Sequence, residues 1–328
     1  MTRPTPPRTS KRSSSQSATP RAVSSTPNPY ALNPNPEVVD PVWLLKALGV
    51  IVAGAMLCGY LTLCVLFYHA QWQMILHPTR STLAPATIGG APYETVRFAV
   101  DDSGTPQLVG WWLPASPGGQ YASDTILYLP SGDGSLADDS STLAALRALG
   151  IGVFAFDYRG YGNSAPIRPN QHRMEEDAAS AYHYLTASRA LQPKRIVPFG
   201  TGVGAALAAQ LAQQHPQLAA LIVRDAKPAL LADVLADPRT KLLPVRLLFH
   251  NRFEIAPVLT ALTTPKLLIV DSSTASRSAA PAVELYRSAA DPKFTVSLPP
   301  NSTAFATTLT RFLDQYLTPQ VAPLTQPK

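Results

Sequence analysis

Residues 47–68 read ALGVIVAGAMLCGYLTLCVLFY, 22 residues without a charge and with Thr62 as the one clearly polar side chain. At 1.5 Å per residue, a helix of that length covers about 33 Å, enough to cross the hydrocarbon core of a bilayer. Trp43 before the run, and Tyr68 and Trp72 after it, stand where an interfacial aromatic belt belongs. A core helix of a globular domain is usually shorter and carries a polar stripe. A cleaved signal peptide has a shorter apolar region and a small-residue cleavage site, which the chain lacks here. Cys58 and Cys64 each follow a leucine, where a lipoprotein signal needs a small residue. Residues 42–70 are therefore expected to form a transmembrane signal-anchor, with the lipid bilayer as partner of residues 47–68.

The flanks of this segment differ in kind. Residues 1–41 are rich in Ser, Thr and Pro with hardly an apolar run, so they cannot bury enough surface to offset chain entropy and are expected to be disordered. Residues 1–46 carry six of the 27 Lys and Arg against two of the 21 acidic groups. Positive-inside bias then places the N-terminus in the cytoplasm and the large domain on the far side. The rest of the chain holds 21 basic against 19 acidic groups. Such a balance lacks the basic face that phosphate backbones require, so no nucleic-acid partner is expected. Both cysteines lie in the apolar run, which excludes disulfides, thiolate metal clusters and a cysteine nucleophile from the large domain.

Beyond a juxtamembrane linker at 71–87, strand-like and helix-like patterns alternate through a domain expected over 88–318, with a short tail at 319–328. Strands are expected at 94–100, 108–113, 125–129, 151–156, 195–199, 218–223, 266–270 and 294–298. One helix is expected to end near Gly150, and others to cover 174–187, 205–213, 283–289 and 304–317, with 226–262 irregular or helical. Two antiparallel strands followed by repeated βα units mark an α/β domain with a mostly parallel central sheet flanked by helices.

The order of motifs narrows this further. Asp157-Tyr158-Arg159-Gly160-Tyr161-Gly162-Asn163-Ser164, after a strand, closely resembles the DYRGYGxS signature of membrane-anchored α/β hydrolases of the depalmitoylase-like and serine-aminopeptidase-like branch. Gly110-Trp111-Trp112-Leu113-Pro114, Asp177-Ala178, His215-Pro216 and Arg252-Phe253 arrive in the order that branch displays. The resemblance covers roughly residues 75–318 and implies the α/β-hydrolase fold. It also implies a Ser at the centre of Gly-x-Ser-x-Gly, a His base, an acid that orients the His, and an oxyanion hole of backbone N–H groups.

This chain departs from that pattern at each position. The elbow is Gly200-Thr201-Gly202-Val203-Gly204, with Gly202 at the nucleophile position. Pro130-Ser131-Gly132 stands where the oxyanion loop belongs, Thr274 at the acid position, and Asn301-Ser302-Thr303 where the His is expected. No His follows His250. A glycine cannot form an acyl-enzyme, so the expectation is a non-catalytic protein that binds an unknown ligand or protein partner, with no cofactor. A hydrolase with a rearranged site is the alternative, with Thr201, Ser131 or Ser164 as nucleophile and His172, His183 or His250 as base. A second alternative takes Gly200-x-Gly202-x-x-Ala205 with Asp225 as a dinucleotide fingerprint. No cluster has metal-ligand spacing: Asp101-Asp102 and Asp138-Asp139 read as solvated turns, and Glu175-Glu176-Asp177 as a charged first helical turn.

Overall fold

The computed structural model describes residues 40–81, 84–272, 276–299 and 302–317. The expected N- and C-terminal tails, Thr274 and Asn301 lie outside the described residues. The apolar run belongs to helix α1 (Pro41–Ala70), which is long and apolar enough to cross a membrane.

Segment 71–87 is more than a linker. A 3-10 turn at Gln71–Met74 leads into a short strand β1 (His77–Pro78). Then follow β2 (Glu94–Val100), β3 (Pro106–Leu113), β4 (Thr125–Leu129) and a two-residue β5 (Asp133–Gly134). Helix α2 (Ser140–Arg147), β6 (Gly152–Asp157), α3 (Gln171–His183), β7 (Ile196–Thr201), α4 (Gly204–Gln214) and β8 (Leu221–Arg224) come next. Three short helices fill the expected irregular region: α5 (Leu230–Ala236), α6 (Val245–Leu248) and α7 (Ala256–Ala261). The chain closes with β9 (Lys266–Asp271), α8 (Ser276–Ser288), β10 (Lys293–Leu298) and α9 (Thr303–Tyr316).

Among the described residues the main sheet has eight strands in the order β10-β9-β8-β7-β4-β6-β3-β2, antiparallel at β2–β3 and β3–β6 and parallel elsewhere. Strands β4, β6 and β7 are buried along their whole length, which is why they read as apolar runs rather than alternating ones. One face packs Leu127, Phe154, Phe156 and Leu207, and the other packs Tyr128, Phe199, Phe305 and Phe312. Strand β1 pairs in parallel with β5, outside the main sheet.

Helix α3 begins three residues before the expected start. Asn170, directly after Pro169, caps it by accepting from the Arg173 N–H at 2.9 Å. The acidic residues suggest a first helical turn, but the cap decides where the helix begins. Glu175, Glu176 and Asp177 therefore fall in the second turn.

Candidate functional site

Strand β7 runs into a tight turn at Gly202, whose φ is +54°, and α4 starts at Gly204. A Cβ at Gly200 would lie 2.2 Å from the Gly204 carbonyl oxygen, and one at Gly204 would lie 2.3 Å from that of Leu129. Both contacts are with backbone, so these glycines allow helix and strand to approach closely. The alanines that follow in α4 are buried and keep that approach close along the helix. The turn is thus the strand–elbow–helix of the resemblance, built around a residue without a side chain.

The space above the elbow is occupied. A Cβ at Gly202 would meet Ser131 Cβ at 2.9 Å and the Ser131 carbonyl oxygen at 3.0 Å. That carbonyl accepts a hydrogen bond from the Val203 N–H at 3.2 Å. In serine hydrolases of this fold, the N–H following the nucleophile points at the developing oxyanion. Here it is engaged within the protein. The Gly202 N–H donates to the Arg224 carbonyl at 3.1 Å.

The tyrosines of the DYRGYG segment hold this loop in place. Tyr158 OH donates to the Pro130 carbonyl at 3.3 Å, and Tyr161 OH to that of Gly132 at 2.9 Å. Arg159 turns the other way. Its Nε lies 2.6 Å from Asp177 Oδ1, its backbone N–H donates to Asp177 Oδ2 at 2.9 Å, and its Nη2 reaches Glu176 at 2.6 Å. Burial pushes the Asp177 carboxyl up to about 6 even though Arg159 opposes the shift. Ser164 is buried, donates to the Asp157 carbonyl at 2.6 Å and accepts from the Val109 N–H at 2.9 Å, so its hydroxyl ties β3 to the motif.

The remaining positions are placed as follows. Thr201 is buried, with Oγ1 3.5 Å from Tyr128 OH. Ser302 caps α9, accepting from the Phe305 N–H at 3.2 Å, and Thr303 opens that helix. Asp271 ends β9, its N–H donating to Asp225 Oδ1 at 2.6 Å. The three histidines weighed as bases stand elsewhere: His172 pairs with Glu176, His183 ends α3, and His250 lies 2.8 Å from Gln71. His215 stacks on Tyr182. Among the described residues no group of three His, Cys, Asp or Glu could hold a metal ion.

The histidine beside the elbow loop is one that sequence reasoning missed. His77 Nδ1 lies 2.7 Å from Asp133 Oδ1, and the His77 N–H donates to the Gly132 carbonyl at 2.9 Å. Lys227 Nζ reaches the other Asp133 oxygen at 3.0 Å. Burial raises the Asp133 carboxyl, but His77 and Lys227 outweigh it and hold it below its ordinary range. The pairing depends on β1 meeting β5, and two-residue strands leave no periodic signal in a sequence.

Asp138-Asp139 is not simply a solvated turn. Asp138 accepts from the Ser135 N–H at 2.7 Å, while burial pushes Asp139 from 3.8 to about 6, against the pull of Arg224 and Tyr128. The folded protein therefore keeps a proton on Asp139 that the unfolded chain has lost, and stability falls as pH rises from about 4 to about 6. Asp139→Asn is expected to match the parent at pH 4 and to exceed it at pH 7 by about 1–2 kcal/mol. Denaturant unfolding at the two pH values measures this, and an equal difference at both would refute it.

Comparison with known proteins agrees with this architecture. A family model described as serine aminopeptidase, S33, matches residues 134–298. An uncharacterized protein of Mycobacterium tuberculosis is 34% identical over 193 residues, which covers 59% of this chain and 66% of the relative. The match thus spans just under two thirds of that relative's length. An alpha/beta hydrolase domain-containing protein of Arabidopsis thaliana is 30% identical over 121 residues, 36% of this chain and 38% of the relative. An esterase of Pyrococcus furiosus superposes with a TM-score of 0.55 at 17% identity, covering 74% of this chain and 99% of its own. An alpha-beta hydrolase from Vibrio vulnificus superposes with a TM-score of 0.52 at 19% identity, covering 68% of this chain and 79% of its own. With half of its length matched by the family model, on a fold shared with these hydrolases, the chain belongs to the serine aminopeptidase S33 family of the α/β-hydrolase superfamily.

Proposed function

We propose that this is a membrane-anchored α/β-hydrolase-fold protein whose triad has been lost and which binds a ligand or protein partner without turning it over. The observation that carries the reading is the elbow: Gly202 offers no hydroxyl, Ser131 fills the space above it, and the Val203 N–H is already bonded. A protein with these features lacks both the covalent step and the readiest source of oxyanion stabilisation. Helix α1 supports the anchor, and the charge bias of residues 1–46 supports a cytoplasmic N-terminus with the large domain across the membrane.

The second reading is a hydrolase with a rearranged site, and His77 favours it. A carboxylate on Nδ1 leaves Nε2 free, as in the base half of a serine-hydrolase triad. Ser131, two residues from Asp133, would then be the nucleophile. Nothing comparable favours a dinucleotide at Gly200–Ala205. Ser131 stands where the pyrophosphate would approach, and Asp225 Oδ1 already accepts from the backbone of Asp271.

One experiment separates the first two readings. The full chain in membranes, treated with a serine-directed fluorophosphonate probe, is expected to remain unlabelled. Labelling that disappears in both Ser131→Ala and His77→Ala would instead establish the rearranged hydrolase.

A further inference from the structure

Residues 238–252 carry Arg239, Lys241, Arg246 and Arg252; Arg239 pairs with Asp237 at 3.3 Å and Arg252 with Glu254 at 3.4 Å, which leaves Lys241 and Arg246 outside any ion pair among the described residues. Within this segment Leu242 and Leu247 are each 83% exposed, more than any other large apolar side chain outside α1 among the described residues. Each follows directly on an exposed cation, Lys241-Leu242 and Arg246-Leu247. A leucine held in water beside a lysine or arginine gains nothing from the domain's own core. An apolar side chain flanked by cations is the pattern of a surface that meets a lipid interface.

The segment is tied to the end of α1. Gln71, one residue beyond that helix, is 1% exposed. Its Nε2 donates to the Leu248 carbonyl at 2.9 Å, and its Oε1 accepts from the His250 N–H at 2.8 Å. The Tyr68 and His250 rings lie 4.8 Å apart between centroids. Tyr68 is the last residue of the apolar run, so these contacts hold 248–250 beside the point where α1 would leave the bilayer.

We propose that residues 238–252 rest on the bilayer surface that α1 enters, with Leu242 and Leu247 in the headgroup region and Lys241 and Arg246 facing anionic phospholipid. The proposal rests on the membrane-anchor reading of α1. Tethering explains why two leucines suffice, since a surface already beside the membrane need not recruit the protein from solution. Each cation near an anionic surface is worth about 1 kcal/mol, or about fivefold in the ratio of docked to undocked segment.

The test uses the full chain with Cys58→Ser and Cys64→Ser, reconstituted in phosphatidylcholine–phosphatidylglycerol vesicles that contain doxyl-labelled lipid. An environment-sensitive fluorophore is placed singly through Leu242→Cys, Leu247→Cys, Val100→Cys or Leu57→Cys. Val100, exposed at the end of β2, is the comparison outside the segment, and Leu57 reports on α1 itself. Quenching is expected to be strong at Leu57, intermediate at Leu242 and Leu247, and weak at Val100. At Leu242 and Leu247 the docked-to-undocked ratio read from it should fall about fivefold for each of Lys241→Gln and Arg246→Gln, and fall likewise in pure phosphatidylcholine. Quenching at Leu242 and Leu247 no greater than at Val100, with Leu57 still quenched, overturns the docking surface and leaves the anchor standing. No quenching at Leu57 overturns both. Strong quenching at Leu242 that ignores phosphatidylglycerol overturns the role given to the cations.

Discussion

Arg159→Ala is expected to lower the unfolding free energy by about 3 kcal/mol at pH 7, because it strips a buried carboxylate of its cationic partner and leaves it only the residue-159 backbone N–H. Asp177 is 2% exposed, and Arg159 meets it through the guanidinium and the backbone N–H together. Burial already raises the Asp177 carboxyl to about 6 with Arg159 present, and without it the shift grows. The folded state would then favour the protonated acid more strongly, so the loss should grow as the pH rises above about 6, where the parent's Asp177 ionises, and level off below it. Arg159→Lys should recover part of the loss, since a lysine supplies the charge but not the planar fork. Denaturant unfolding of the three proteins from about pH 5 to about pH 8 checks this. A loss independent of pH would mean that the arginine stabilises by packing and not through Asp177.

Gly202→Ser is expected to give no ester turnover and to destabilise the protein by about 1–3 kcal/mol. Residue 202 sits at φ +54°, where a side chain is strained, and its Cβ would press on Ser131 at 2.9 Å. A restored hydroxyl would still meet a loop that takes the Val203 N–H and, at 302–303, a helix cap in place of a base. Hydrolases stripped of their triad can retain about 10³–10⁴-fold acceleration over water through the oxyanion hole and binding. Even that residue of activity should be small while Ser131 holds the Val203 N–H. Pairing the change with Ser131→Gly tests the steric part separately: stability should recover while turnover stays absent. Efficient hydrolysis by Gly202→Ser alone would show that a base is already in reach, with His77 the first to examine by His77→Ala.

Much of the architecture was legible along the chain because its signals are local. The uncharged run from Ala47 to Tyr68 has one economical structure in any apolar surrounding, and α1 encloses it. Strands β4, β6 and β7 are buried on both faces, so each had to be an unbroken apolar stretch, and each matched its expected position to within a residue or two. The glycines of the elbow were equally visible, and the absence of a hydroxyl at Gly202 needs no structure to establish. Element ends were less legible. Helix α3 starts where Asn170 can cap it, and of its acidic residues Glu176 and Asp177 are held by Arg159 and Glu175 by Gln171.

What only the tertiary structure decided is how the empty position is used. Ser131 occupies the space over Gly202 and takes the Val203 N–H because the loop after β4 is pinned by Tyr158, Tyr161 and His77. Those residues stand 28 or more positions from the carbonyls they bind. The His77–Asp133 pair likewise exists only because two-residue strands meet across 56 positions of chain. A sequence by itself determines which groups a protein possesses and the local periodicities that form helices and strands. It does not display which groups meet, because contacts between distant residues are chosen by packing the whole sheet and its loops at once, and no short stretch of chain carries that information.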